Sequence, residues 1–273
     1  MNNLSQASAG LGKLDRARLA ALFRGSKGTI TNEEAARVLQ LPQPAASKLL
    51  ARWCTKGWLS RVARGLYVPV PLEAERPDGP LEDPWLVAQR LFSPCYIGGW
   101  SAAEHWDLTD QIFRTTLVMS TTRPRNRKPV LKGAAFWVHT IAPEKMFGLK
   151  PVWHGSVKVM VSDPSRTILD MLADPALGGG IRSVQDMFLE YLDSEHRDLQ
   201  QLLAYADEYG NGAVFKRLGF LLETKVPTER EVIEACASRL SAGKARLDPG
   251  LPAEAVVTRW RLWVPRAWRS GVV

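Results

Sequence analysis

Cysteine is scarce: Cys54, Cys95 and Cys236 are the only three in 273 residues, and no two of them form a CxxC pair. Such a set gives neither a disulfide framework nor the ligand spacing of a structural zinc site, and it fits a reducing compartment. Long apolar runs are also missing. None approaches the roughly 20 residues that span a bilayer, so no membrane partner is expected. The opening MNNLSQASAGLG lacks the charged-then-apolar order of a secretion signal, and the expected location is cytoplasmic. The four histidines, His105, His139, His154 and His196, have no metal-ligand spacing. The triple glycine at 178–180 lacks the Gly-Lys-Ser/Thr of a phosphate cradle and reads as a turn. No metal and no cofactor are expected.

Acid is what the first quarter of the chain most lacks. Residues 1–70 carry eleven Lys and Arg against three Asp and Glu, whereas residues 71–273 carry twenty-five of each, so the whole net charge of +8 sits at the N-terminal end. A small basic module on a neutral, larger one points to a polyanion partner for the first. With 45% apolar residues, the chain is long enough to bury a full core without covalent staples.

The first seventy residues have a legible order. KLDRARLAALFR (13–24) spaces Leu14, Leu19, Leu22 and Phe23 as one helical face. Thr31 followed by Glu34 predicts a capping box at the start of a second helix, which ends by Leu41-Pro42. Gln43-Pro44 opens a third, with Ala46, Leu49, Leu50 and Trp53 inward and Ser47, Lys48, Arg52 and Lys56 outward. WLSRVARGLYVPV then reads as a hairpin turning near Arg64-Gly65. Three helices followed by a hairpin predict a winged helix-turn-helix that reads double-stranded operator DNA with its third helix. Gln43 and Ser47 are placed to reach base edges, and Lys48, Arg52 and Lys56 to bind phosphate or guanine. Arg61 and Arg64 on the wing are expected to meet phosphate or an adjacent minor groove.

Five prolines between residues 69 and 84 predict a linker. Domains are therefore expected at 1–80, winged helix plus linker, and 81–273, a larger mixed unit. Beyond the linker the patterns predict helices at 83–92, 101–106, 163–172, 182–192, 197–208, 213–222 and 228–240. Strands are expected at 115–121, 133–141 and 157–162, with VVTRWRLWV as a final strand. The fold class is α+β.

RGLYVPVP (64–71) after a winged helix, YIGGWSAAEHWDLT (96–109), SDPSRTILDML (162–172) with its glycine turn, and NGAVFKRLGFLLE (211–223) together resemble the AbiEi antitoxins of type IV toxin–antitoxin systems of bacteria. The order and spacing of these motifs make the likeness, over about residues 14–264. The resemblance implies a non-enzymatic autorepressor that represses its operon through the N-terminal domain. It further implies that the C-terminal domain counters a nucleotidyltransferase-like toxin without binding it stably.

Other residues were weighed for chemistry. Asp163, Arg166 and Asp170 lie on consecutive helical turns, but a helix cap and an i,i+4 ion pair explain them without a carboxylate site. Glu223-Thr224-Lys225 matches a nuclease E-x-K, yet it ends a helical pattern where such a motif needs a strand. Arg123, Arg125, Arg127, Lys128 and Lys132 fall within ten residues that include Pro124 and Pro129 and no acid, a loop able to track phosphate as a second basic surface. In the tail RWRLWVPRAWR, core packing of the tryptophans is favoured over base stacking. A DNA-targeted nuclease and a ligand-sensing repressor are the alternatives, the latter predicting an apolar pocket in the second domain.

Overall fold

The computed structural model describes residues 12–269 except 27, 72, 73, 75, 77, 78 and 156. The N-terminal part runs α1 (Lys13–Gly25), β1 (Ile30–Thr31), α2 (Asn32–Leu39), α3 (Gln43–Thr55), β2 (Leu59–Ala63) and β3 (Leu66–Pro69). The capping box forms as the spacing predicts. Thr31 Oγ1 accepts from the Glu34 N–H at 3.2 Å, and the Glu34 carboxylate accepts from the Thr31 N–H at 2.9 Å. The hairpin turns at Arg64-Gly65, where Gly65 takes φ +77°. One element of this N-terminal part leaves no mark in the sequence pattern. The two-residue β1 pairs antiparallel with β3 to give a three-stranded sheet in the order β1-β3-β2, the strand arrangement of a winged helix. Two residues are too few for any periodicity to register; β1 exists because β3 offers it an edge.

Next come α4 (Pro84–Leu91), β4 (Cys95–Ile97), α5 (Gly99–His105), β5 (Thr115–Ser120), β6 (Val130–Leu131), β7 (Ala134–Thr140), β8 (Leu149–His154) and β9 (Val157–Ser162). Strands β4 to β9 form one mixed sheet in the order β6-β7-β5-β4-β9-β8. Five helices follow: α6 (Pro164–Ala173), α7 (Ile181–Asp193), α8 (Leu199–Tyr209), α9 (Gly212–Lys225) and α10 (Arg230–Ser238). A small sheet of β10 (Ala245–Arg246), β11 (Ala255–Val257) and β12 (Leu262–Val264) completes the described chain, and the α+β class holds. None of the described helices is long and apolar enough to cross a membrane.

Both faces of the six-stranded sheet are covered. Side chains alternate along β5: Leu117 and Met119 join the cluster built by α6 to α9, while Val118 joins a second cluster on the opposite face. That two-sided burial explains why TTLVMS reads as a nearly continuous apolar run rather than an alternating one. The second cluster contains Val87 and Ala88 of α4, Phe136 and Val138 of β7, and also Val62 and Leu66 of the wing. The wing hairpin is thus packed on the second part of the molecule. Arg90 of α4 adds a polar clasp: its Nη2 lies 2.6 Å from Glu34 Oε1 and donates to Thr31 Oγ1 at 3.4 Å.

The final strand differs from the sequence expectation. VVTRWRLWV is two short strands, β11 and β12, joined by a turn in which the Arg261 N–H donates to the Thr258 carbonyl and Arg261 takes φ +53°. The turn folds Trp260 inward until it is fully buried, and Trp268 is also buried while Trp263 is exposed. Two of the three tail tryptophans are therefore core residues. Trp260 lies flat on α9, where Gly219 leaves the space: a Cβ there would come within 2.0 Å of its ring.

Gly→Ala inside a helix ordinarily stabilises by up to about 1 kcal/mol. Gly219→Ala should do the reverse and destabilise the protein by about 1–3 kcal/mol, because Trp260 must be displaced. Urea unfolding followed by tryptophan fluorescence checks the sign.

Candidate nucleic-acid interface

α2 and α3 are joined by a three-residue turn whose first residue, Gln40, takes the left-handed φ of +53°. The Leu41 N–H then bonds back to the Ala36 carbonyl at 3.0 Å, and α3 starts with Pro42 as cap and Pro44 in its first turn. Proline there costs no hydrogen bond, since first-turn N–H groups have no helical partner. Ala46, Leu49, Leu50 and Trp53 are buried against Leu19 and Leu22 of α1 and Ala35 of α2. Burial of that stripe fixes which face of α3 turns outward.

Gln43, Lys48 and Arg52 are exposed on that outer face, and Ser47 is half-buried beside them. Lys56 is not in the helix but caps its C-terminus. On the wing, Arg61 is exposed with its Nε donating to the Ala63 carbonyl at 3.3 Å, and Arg64 is exposed in the turn. Among the described residues Lys48, Arg61 and Arg64 make no ion pair.

One acid enters the face from outside α3, which no local pattern reveals. Asp15 in the first turn of α1 accepts from Arg52 Nη2 at 3.1 Å and lies 3.6 Å from Lys56 Nζ. Lys56 Nζ also stands 4.6 Å above the Trp58 ring.

Arg123, Arg125, Arg127 and Lys128 are all exposed on the loop between β5 and β6. The loop is anchored beside β7 by Val138 N–H to Arg127 carbonyl (2.7 Å) and Phe136 N–H to Pro129 carbonyl (2.9 Å). Lys128 Nζ sits 5.3 Å over the Trp137 ring. Lys132 is directed elsewhere: its ammonium donates to Ser60 Oγ on the wing. No hydrogen bond or ion pair among the described residues joins this loop to α3.

The groups weighed for catalysis are engaged structurally. Asp163 caps α6 by accepting from the Arg166 N–H at 2.8 Å, and its other oxygen accepts from the Tyr205 hydroxyl at 2.8 Å. Arg166 and Asp170 form the expected i,i+4 pair, Nε to Oδ1 at 3.0 Å, but both are fully buried. Arg166 also donates to the Phe147 carbonyl and the Tyr96 hydroxyl, and that hydroxyl donates to Asp170 Oδ2 at 2.9 Å. Burial, the largest single influence, disfavours the Arg166 charge; Asp170, together with Tyr96 and Tyr209, outweighs it and raises the pKa. Glu223 is held by Trp260 Nε1 at 2.5 Å and by Arg259. Burial pushes the Cys95 and Cys236 thiols up to about 12, so neither is a ready nucleophile. His154 Nδ1 pairs with Asp83 Oδ2 at 2.7 Å, and burial together with His154 lowers the pKa of His105. No group of three or more His, Cys, Asp and Glu that could hold a metal occurs among the described residues.

A cavity of about 700 Å³ opens between the N-terminal part of the chain and α4, lined by Thr29, Ser60, Val68, Leu86, Val87 and Lys132 among others. Smaller clefts lie further along the chain, one of about 430 Å³ beside Gly180, Asp248 and Trp268 and one of about 560 Å³ beside Asp198 and Arg230.

Residues 17–70 match the family model described as transcriptional regulator, AbiEi antitoxin. The matched stretch begins within α1 and ends just after β3, so it spans most of α1, helices α2 and α3 and the three-stranded sheet, and stops before α4. No curated protein matches the chain.

Removing one member of the buried Arg166–Asp170 pair leaves the other uncompensated. Asp170→Asn should cost about 3–5 kcal/mol, and Tyr96→Phe about 1–3 kcal/mol. Thermal unfolding of the two variants ranks them; a neutral Asp170→Asn would contradict a structural role.

Proposed function

We propose that this chain, an AbiEi-type transcriptional regulator over residues 17–70, binds duplex operator DNA through α3 and the β2–β3 wing and represses its own operon. The observation that carries the reading is the outer face of α3: an exposed row of polar and basic side chains on a winged-helix scaffold within the family match. Strong phosphate attraction comes from Lys48, Arg52, Lys56, Arg61 and Arg64, and sequence preference from Gln43 and Ser47 near the helix start. Arg123, Arg125, Arg127 and Lys128 form a second basic surface available to the same polyanion.

In this reading residues 1–80 are the DNA-binding unit and residues 81–273 the effector unit of an antitoxin. The effector unit counters a nucleotidyltransferase-like toxin of the cytoplasm, as the resemblance implies, by an action other than stable binding. The protein works by binding rather than by catalysis. A nuclease reading is less well supported, because the acid it needs, Glu223, is committed to Trp260 and Arg259.

The test is competition between the duplex immediately upstream of the chain's own gene and a scrambled duplex. Gln43→Ala and Ser47→Ala should each cost about 1–3 kcal/mol on the first and little on the second. Lys48→Ala and Arg64→Ala should weaken both alike and flatten the dependence of log affinity on log salt by about one unit each. Equal losses on both duplexes for Gln43 and Ser47 would place the reading end of α3 elsewhere; absence of binding to either duplex would end the DNA assignment.

A further inference from the structure

The DNA reading treats the cations of α3 as a uniform row. The structure divides them. Lys48 makes no ion pair among the described residues, whereas Arg52 and Lys56 both turn to one carboxylate, Asp15 of α1, at 3.1 and 3.6 Å. The acid is nearly covered by its two partners, with 14% of its side chain exposed against 54% for Arg52 and 34% for Lys56. Two cations and one carboxylate leave a single net charge at the C-terminal end of the reader.

We propose that Asp15 is a specificity-determining residue of this interface, a built-in competitor that weakens phosphate binding by Arg52 and Lys56. The inference rests on the DNA-binding reading and deepens it. An ion pair whose cations stand this far in solvent adds little to stability, so holding α1 to α3 is an insufficient reason for it: the two helices already share Leu19, Leu22, Leu49 and Leu50 in one core.

Its effect on binding is larger and selective. A phosphate oxygen approaching Arg52 finds the Nη2 donor already bonded to Asp15 Oδ1 and has to displace the carboxylate. Loose contact with arbitrary duplex depends almost wholly on phosphate attraction and bears the full cost of that competition. A docked operator is also held by base contacts near Gln43 and Ser47, at the other end of the helix, and loses a smaller share of its binding. Placing a competing element where the wrong target depends most on the contact it weakens is a standard route to discrimination. Asp15 also keeps the two long side chains at defined positions, so that an operator whose phosphates match those positions does not have to order them.

The experiment uses the full chain and fluorescence anisotropy on two labelled duplexes, the stretch upstream of its own gene and a scrambled version, across a salt series. Asp15→Asn should raise affinity for the scrambled duplex about fivefold and steepen its log affinity–log salt slope by about one unit. Affinity for the upstream duplex should rise less than twofold, so the ratio between the two falls. Asp15→Glu should keep most of the wild-type ratio. In an Arg52→Ala/Lys56→Ala background the gain from Asp15→Asn should disappear, a result that a merely structural role of Asp15 would not produce. Unchanged scrambled-duplex affinity and slope in Asp15→Asn, with wild type binding normally, overturns the inference and leaves the DNA reading intact. A gain that persists without Arg52 and Lys56 overturns it too. Failure of wild type to bind either duplex removes the DNA reading and this inference together.

Discussion

The second part of the molecule is organised around a guanidinium sealed from solvent. Arg166 is fully buried in α6, and a charge there is tolerable only if nearly every donor finds an acceptor. It finds them on three different segments: Asp170 one turn on, the Phe147 carbonyl before β8, and the Tyr96 hydroxyl on β4. Meeting those bonds fixes where the central strand, the connection into β8 and helix α6 stand relative to one another. Asp163, at the start of the same helix, brings in Tyr205 of α8. A second buried cation works in the same way. Arg217 of α9 donates to the carbonyls of Leu172 and Ala173 at the end of α6 and to those of Arg246 and Leu247 by β10. Burial lowers its pKa, and among the described residues its hydrogen bonds go to backbone carbonyls, whose dipoles carry the load. Helix α6 is thus held at both ends by arginine, and the α9 helix and small sheet are placed by it.

Helix α4 performs the corresponding task between the two parts of the chain. Its N-terminus is capped by Asp83, whose Oδ1 accepts from Trp85 and Leu86 and whose Oδ2 is tied to His154 of β8. Its C-terminal turn carries Arg90, which grips Glu34 and Thr31, the two members of the α2 capping box. Val87 and Ala88 between them lie in the same cluster as Val62 and Leu66 of the wing. The helix is a strut from the mixed sheet to the N-terminal part of the chain, which it meets through α2 and the wing.

How much was legible depended on how local the cause was. The capping box, the wing turn, the inward stripe of α3 and the start of α6 at Asp163-Pro164 follow from residues three or four apart, and all form as read. Glu223-Thr224-Lys225 ends a helix as its apolar spacing indicates. Where the cause was distant, the pattern was silent or misleading. β1, β4 and β6 are too short to show periodicity. VVTRWRLWV alternates like one strand but becomes two, since Trp260 gains more by lying in the groove at Gly219 than by staying in line. The acid-free face of α3 is acid-free only along its own helix, because Asp15 arrives from α1, thirty-seven residues earlier.

The sequence by itself determined the order of the three helices and the wing hairpin in the first seventy residues, the concentration of positive charge there, and the α+β class, because helix periodicity, caps, turns and net charge are properties of short stretches of chain. Only the tertiary structure decided that Arg166 and Asp170 are sealed in the core, that the wing packs on α4 and the mixed sheet, and that Arg52 and Lys56 share one carboxylate while Lys48 has none. Those outcomes depend on which distant segments meet. Burial changes the strength of a charge and the need of a donor by more than any feature of its neighbours in sequence.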